Sequence, residues 1–178
     1  MKWFFSVFFA FSFVFLTFFA TNCIYGYLFP IKFQEEVEIA SQNFDVDKAV
    51  LYAMINIESR FDKNAISSKG AIGLMQLMPS TAEYVAELLK IEEYDLKEPQ
   101  DNIDFGTFYL NRLCERFKNL ETALVAYNAG PTKVSEWLNN KEYSEDGVTL
   151  KKIPFAESER YLQKFKSSFN YYSKKIKD

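Results

Sequence analysis

In the stretch LYAMINIESRFDKNAISSKGAIGLMQLMPSTA, which begins at Leu51, one carboxylate stands where an amphipathic helix would carry a leucine. At about 100° per residue, Glu58 falls about 20° from Leu51 and about 40° from Met54 on the helical wheel. Val50 and Phe61 complete that apolar face, while Lys48, Tyr52, Asn56, Ser59 and Arg60 lie elsewhere around the wheel. Glu58 also falls in the last turn of the expected helix, where the macrodipole is negative and disfavours an anion. Desolvation and the dipole both push such a carboxyl's pKa upward. A carboxylic acid that keeps its proton at neutral pH suits general-acid catalysis, which must protonate a poor leaving group such as a glycosidic oxygen. A plainer reading stays open: a partly buried Glu58 paired with a lysine or arginine, or a helix turned so that it meets water.

The chain contains no histidine. That removes Ser-His-Asp and Cys-His machinery and most zinc sites, leaving carboxylates, hydroxyls, amides and backbone groups to do any chemistry. Cys23 lies in an apolar segment and Cys114 at helical spacing further on, so no disulfide framework is expected. Of the 21 basic residues, two lysines fall in residues 1–34, leaving 19 against 24 acidic residues and a net charge of −5 beyond residue 34. No basic run before the tail YYSKKIK makes a nucleic-acid footprint.

The elements that must position these residues read as helices throughout, so the fold class expected is all-α, a compact helical domain. Asp45 or Asp47 can cap the helix that carries Glu58 and runs to about Arg60. SSKGAIG is a loop, and Pro79 and Ser80 start STAEYVAELLK. Pro99 breaks the chain before IDFGTFYLNRLCERF; LETALVAY and TKVSEWLNN follow, separated by NAGP, and a last helix comes after Pro154. Its stripe includes Tyr161, Leu162, Phe165, Phe169, Tyr172 and Ile176.

Ahead of all this, residues 3–19 carry no charge, and apolar residues continue to Pro30, long enough to cross a bilayer. Three readings compete: a cleaved signal, a lipoprotein signal at Cys23, and a retained anchor. Asn22 fits neither an A-x-A-like cleavage site nor the small residue before a lipidated cysteine. The expectation is therefore an N-terminal transmembrane anchor and connector over residues 1–34. A catalytic domain over residues 35–178 would then face the outside of the cell, secretion after cleavage being the alternative.

ESRFDKNAISSKGAIGLMQLMPSTA closely resembles the signature of the soluble lytic transglycosylase family, with its Glu-Ser pair, Gly-Ala-x-Gly-Leu-Met-Gln loop and Met-Pro-x-Thr-Ala. AYNAGP resembles the family's second block, IPFAESERYL its third, and NIDFGTFYLNRL the helix between them. Four ordered blocks over roughly residues 42 to 173 make a specific signal. The resemblance implies a lysozyme-like fold and the roles of matched residues. Glu58 would be the single catalytic acid, and Ser67 would lie near the substrate's acetamido group. Gln76 and Met78 would line the groove, Tyr127 and Asn128 would face the acid, and Glu157 would be a supporting second acid. The family continues its third block as Thr-Arg-x-Tyr, whereas here Ser158, Glu159, Arg160 and Tyr161 follow, displacing the arginine by one.

Taken singly, each of these has an ordinary explanation. Met75, Leu77 and Met78 suit a core, Ser67 a turn, and Tyr127 a buried ring with its hydroxyl satisfied. As a set the resemblance implies cleavage of the N-acetylmuramic acid to N-acetylglucosamine bond of peptidoglycan glycan strands, forming a 1,6-anhydro end. No metal, cofactor or nucleic acid is involved in that expectation. Asp62 and Glu157 are the candidates for a second carboxylate, which would instead indicate a hydrolase with a goose-lysozyme-like fold. A catalytically weak wall-binding scaffold is the remaining alternative.

Overall fold

The computed structural model describes residues 2–176, with side chains from residue 13 onward. The chain divides into two units, Met1–Ile31 and Lys32–Asp178. The first holds α1 (Lys2–Leu28), 27 residues long. It stops before Pro30, as helices usually end ahead of a proline. The polar residues inside its apolar run bond to the helix's own carbonyls: Thr17 Oγ1 to Val14 at 2.9 Å, Thr21 Oγ1 to Thr17 at 2.6 Å, and Asn22 Nδ2 to Phe18 at 2.8 Å. Phe13, Phe15, Leu16, Phe18 and Phe19 are exposed. Among the described residues no helix is long and apolar enough to cross a membrane, and the anchor expected over residues 1–34 falls partly on side chains outside that description.

The second unit is all helix and loop among the described residues, as expected: α2 (Gln34–Phe44), α3 (Lys48–Ser59), α4 (Pro79–Leu89), α5 (Pro99–Phe117), α6 (Leu120–Ala129), α7 (Pro131–Leu138) and α8 (Ala156–Lys175). Asp47, not Asp45, caps α3, its carboxylate accepting from Ala49 N at 2.6 Å. Segment 35–44, which the sequence reading left without an element, is α2 and packs on α5 and α3. Pro99 opens α5 instead of breaking the chain before it. At the first helical position the missing N–H has no partner to lose, and the same holds for Pro79 and Pro131.

α3 runs through the middle, packed on α8 and α2, and every residue from Ala49 to Ile55 is buried. Tyr52, away from the wheel face of Val50, Leu51, Met54 and Phe61, is buried too and stacks on Tyr172 of α8 with ring centroids 5.4 Å apart. The helix is thus apolar nearly all round, as expected of one enclosed by others. Its wheel alone could not single out a buried side for Glu58.

Candidate active site

Glu58 sits where the buried helix α3 reaches the surface of the unit. Beyond it the chain turns sharply. Arg60 caps the helix in the left-handed region at φ 53°, and Phe61 follows at φ 63° with its ring buried. Two such residues in succession cost of order 1–3 kcal/mol each and persist only where the surroundings hold them. Here Ser59 Oγ donates to Leu74 O at 2.8 Å, tying the helix end to the loop that returns over it.

That loop, residues 60–78, is pinned from behind by Asn102 of α5, which is buried. Its Oδ1 accepts from Met75 N at 2.7 Å, and its Nδ2 donates to Ile72 O at 3.0 Å and Leu96 O at 2.8 Å. Gly73, at φ 80°, lies so close that a Cβ would meet the Asn102 amide and the Leu96 carbonyl. Gly106 leaves similar room on α5 for the Met75 side chain. Tyr127 of α6 completes the clamp, its hydroxyl donating to Met75 O at 2.9 Å.

The result is a cleft of about 320 Å³ whose walls include all seven residues singled out from the sequence: Glu58, Ser67, Gln76, Met78, Tyr127, Asn128 and Glu157. Ser68, Lys69 and Ala71 complete the lining. Two roomier hollows exist on the unit, so size does not distinguish this one; its carboxyl does. Burial pushes Glu58 up to about 7 against the opposing pull of Tyr161, whose hydroxyl donates to Glu58 Oε1 at 2.8 Å. Among the described residues no lysine or arginine pairs with Glu58, which removes the ion-paired half of the plainer reading. Burial, reinforced by the Glu58 charge, holds the Tyr127 and Tyr161 hydroxyls well above the usual phenol range, so both stay neutral donors.

The other residues divide their bonding capacity between scaffold and cleft. Gln76, at φ 49°, spends its amide nitrogen on Gly73 O at 3.0 Å and Ala65 O at 3.2 Å, so it braces the loop that it lines. Ser67 Oγ accepts from Ala71 N at 2.9 Å, a turn cap as the ordinary reading held, yet it faces the cleft as well. Ser158 Oγ donates to Asn128 Oδ1 at 2.7 Å, leaving the two amide N–H donors of Asn128 without a protein partner among the described residues. Met75 and Leu77 are core, but Met78 is 39% exposed. Glu157 is exposed and meets Lys69 at 3.4 Å across the cleft mouth; Arg160 does not take that place. Asp62 is exposed and lies outside the lining.

Sequence reasoning missed Tyr161, Asn102, Ser158 and Lys69. Tyr161 was placed on the core stripe of the last helix, and so it is, with only its hydroxyl reaching the acid. Asn102, flanked by Gln100, Asp101 and Asp104, carries no distinguishing signal in the sequence, and only its burial marks it.

The chain was compared with known families, curated relatives and solved structures. The family model described as the transglycosylase SLT domain matches residues 35–149. The soluble lytic murein transglycosylase of Salmonella typhimurium is 33% identical over 150 residues, covering 81% of this chain and 23% of the relative. Membrane-bound lytic murein transglycosylase E of Buchnera aphidicola is 30% identical over 139 residues, covering 71% of this chain and 64% of that protein. Among solved structures, an inactive mutant of lytic transglycosylase Slt from Pseudomonas aeruginosa superposes with a TM-score of 0.77 at 31% identity, over 85% of this chain and 25% of that one. The 70 kDa soluble lytic transglycosylase, in complex with bulgecin A, gives 0.74 at 27% identity, over 84% and 25%. The all-helical, lysozyme-like transglycosylase fold is therefore that of the second unit, and the chain spans about a quarter of the length of the curated relatives that it matches first.

Proposed function

This chain belongs to the transglycosylase SLT domain family, and from that premise we propose that it is a peptidoglycan lytic transglycosylase with Glu58 as acid and then base. The observation that carries the mechanism is a carboxyl held at about 7 in a cleft with no comparable partner. Tyr161 occupies Oε1, so the acidic proton of Glu58 belongs on Oε2. That proton passes to the oxygen linking N-acetylmuramic acid to N-acetylglucosamine as the bond to the muramoyl C1 breaks. Positive charge developing at C1 is met by the substrate's own acetamido oxygen, with Ser67 and the free amide donors of Asn128 orienting the sugar. The Glu58 carboxylate then takes the proton of the muramoyl 6-hydroxyl, whose oxygen closes on C1. Glu58 regains its proton and no water is consumed.

A retaining glycosidase places a second carboxylate about 5–5.5 Å from the first, and an inverting one leaves a wider gap for water. Here the remaining lining carboxylate, Glu157, is exposed and beside Lys69, a poor base or nucleophile. An internal hydroxyl held at the right distance outcompetes water by proximity.

Residues 1–34 are the anchor in this proposal, with domain 35–178 outside the cell membrane. Counted over all of Lys2–Leu28, including residues 2–12, whose side chains lie outside the description, α1 at about 1.5 Å per residue reaches about 40 Å, beyond the roughly 30 Å of a hydrocarbon core. Residues 3–29 carry no charge, and the inward hydrogen bonds of Thr17, Thr21 and Asn22 remove polar cost from lipid. Membrane fractionation with intact-mass measurement tests this, since a shortened soluble product overturns it.

The activity is tested by mass spectrometry of muropeptides released from purified peptidoglycan by the full chain and by Glu58→Gln. Products one water lighter than reducing ends, from the unaltered protein alone, are expected. Reducing ends would make it a hydrolase, and no product from either would favour a wall-binding scaffold.

A further inference from the structure

Resting on the reading above, we propose that Arg112 and Arg116 form a second binding site beside the cleft, one that takes a carboxylate of the peptide stem carried by the muramoyl sugar. The site is a hollow of about 580 Å³, larger than the cleft itself, walled by Ser80 and Tyr84 of α4, Tyr109, Arg112 and Arg116 of α5, and Pro131 of α7. Tyr109, Arg112 and Arg116 recur at three and four, so they share one face of α5.

The hollow adjoins the cleft through three connections. Met78 lines the cleft and Ser80, two residues on, lines the hollow; Asn128 and Pro131 repeat the relation on the other side. The partition between them is a pair of rings, Tyr109 against Tyr127, with centroids 5.5 Å apart. A glycan strand leaving the cleft over Met78 therefore has the hollow beside it.

Its chemistry is unlike that of the unit around it. The chain beyond residue 34 carries five more acids than bases, yet this wall presents two guanidinium groups. Each is only partly committed: Arg112 Nη1 bonds Glu115 at 2.6 Å and Arg116 Nη2 bonds Ser135 Oγ at 2.9 Å, both exposed contacts. A guanidinium has five N–H donors in a fork that matches a carboxylate, so donors remain on both. Tyr84 and Tyr109 add hydroxyls and flat rings against which a peptide can lie. A neutral oligosaccharide needs aromatic faces and hydroxyls but no cation; peptide stems carry free carboxylates, and those are what this wall complements.

The test uses the full chain in detergent. In the Glu58→Gln background, binding of a synthetic stem-type tetrapeptide with free carboxylates is measured by nuclear magnetic resonance titration, with and without Arg112→Gln/Arg116→Gln. Circular dichroism establishes that the variants fold, and an Arg112→Lys/Arg116→Lys version checks that charge is what matters. At least a tenfold weakening by the glutamine pair, with shifts at Tyr84 and Tyr109, is expected. In the catalytically intact chain, the pair lowers kcat/KM on stem-bearing strands about tenfold more than on strands stripped of peptide. Equal losses on both strand types, or tetrapeptide binding indifferent to the arginines, overturns the proposal. If the unaltered chain releases no product from either strand, the transglycosylase reading fails by itself, and the titration still decides the hollow.

Discussion

Two long loops of the second unit, residues 60–78 and residues 139–155, solve the same problem in opposite ways. The first is held by its neighbours: Ser59 of α3, Asn102 of α5 and Tyr127 of α6 all reach into its backbone. The second is held mostly by itself. Asp146 accepts from Val148 N, Thr149 N and Thr149 Oγ1, and the exposed pairs Lys151–Glu145 and Lys152–Glu142 close it over. Helix α6 adds Thr122 Oγ1 to Val148 O at 2.8 Å. Bonds from buried side chains resist solvent and fix position, whereas exposed pairs are each worth little. The loop facing Glu58 has the stiffer design because a reacting sugar tolerates little misplacement.

Breaking the first loop should therefore cost far more than breaking the second. Gly73→Ala forces a Cβ onto the Asn102 amide at a backbone angle that alanine disfavours; a loss of about 3–5 kcal/mol is expected by denaturant unfolding. Asn102→Leu strands Met75 N and Leu96 O, while Ile72 O keeps its bond from Leu77 N; a loss of about 2–4 kcal/mol is expected, with hydrogen exchange at Met75 speeding well before that of the α8 core.

pH separates the acid that the first loop faces from the second loop by sign. Glu58 is raised on folding, from 4.5 to about 7, so its contribution is fully present below pH 4.5 and lost as pH rises through about 7. At pH 8 its forced ionisation costs on the order of 3 kcal/mol. Glu58→Gln should thus be more stable than the unaltered protein at pH 8 and indistinguishable from it at pH 4, as read by thermal unfolding. Asp146 is held below the usual carboxylate range by its hydrogen bonds to Thr149 and Val148; its contribution is present above that range and lost as pH falls. The smallest effect expected is that of Lys152→Ala, which leaves unfolding unchanged within error, and a loss rivalling that of Asn102→Leu would erase the contrast.

The positions of most helices were legible because apolar periodicity and proline punctuation are local signals. Residues 34–44 escaped because they follow an apolar run without a marked boundary, and Pro99 was misread because a first-turn proline and a breaker look alike in a string. The residues now lining the cleft were legible as ordered blocks. Burial of Glu58 was anticipated from a wheel that turns out to be apolar nearly all round, and desolvation by that burial is what raises its pKa. What a string could not show were contacts across distance: Tyr161 lies 103 residues from Glu58, Ser158 30 from Asn128, and Asn102 27 from Met75. Nothing local distinguishes a tyrosine whose hydroxyl meets an acid from one that only fills space.

The loop's two methionines, Met75 and Met78, face different fates in an oxidising medium. Met75 is fully buried against Gly106, whereas Met78 is 39% exposed in the cleft wall. Peroxide reaches sulfur by access, and a sulfoxide turns an apolar, pliable surface polar. Peptide mapping after mild peroxide should find Met78 modified ahead of Met75, with the helices intact. Oxidation would then blunt the groove without unfolding the protein, and methionine sulfoxide reductase would restore it.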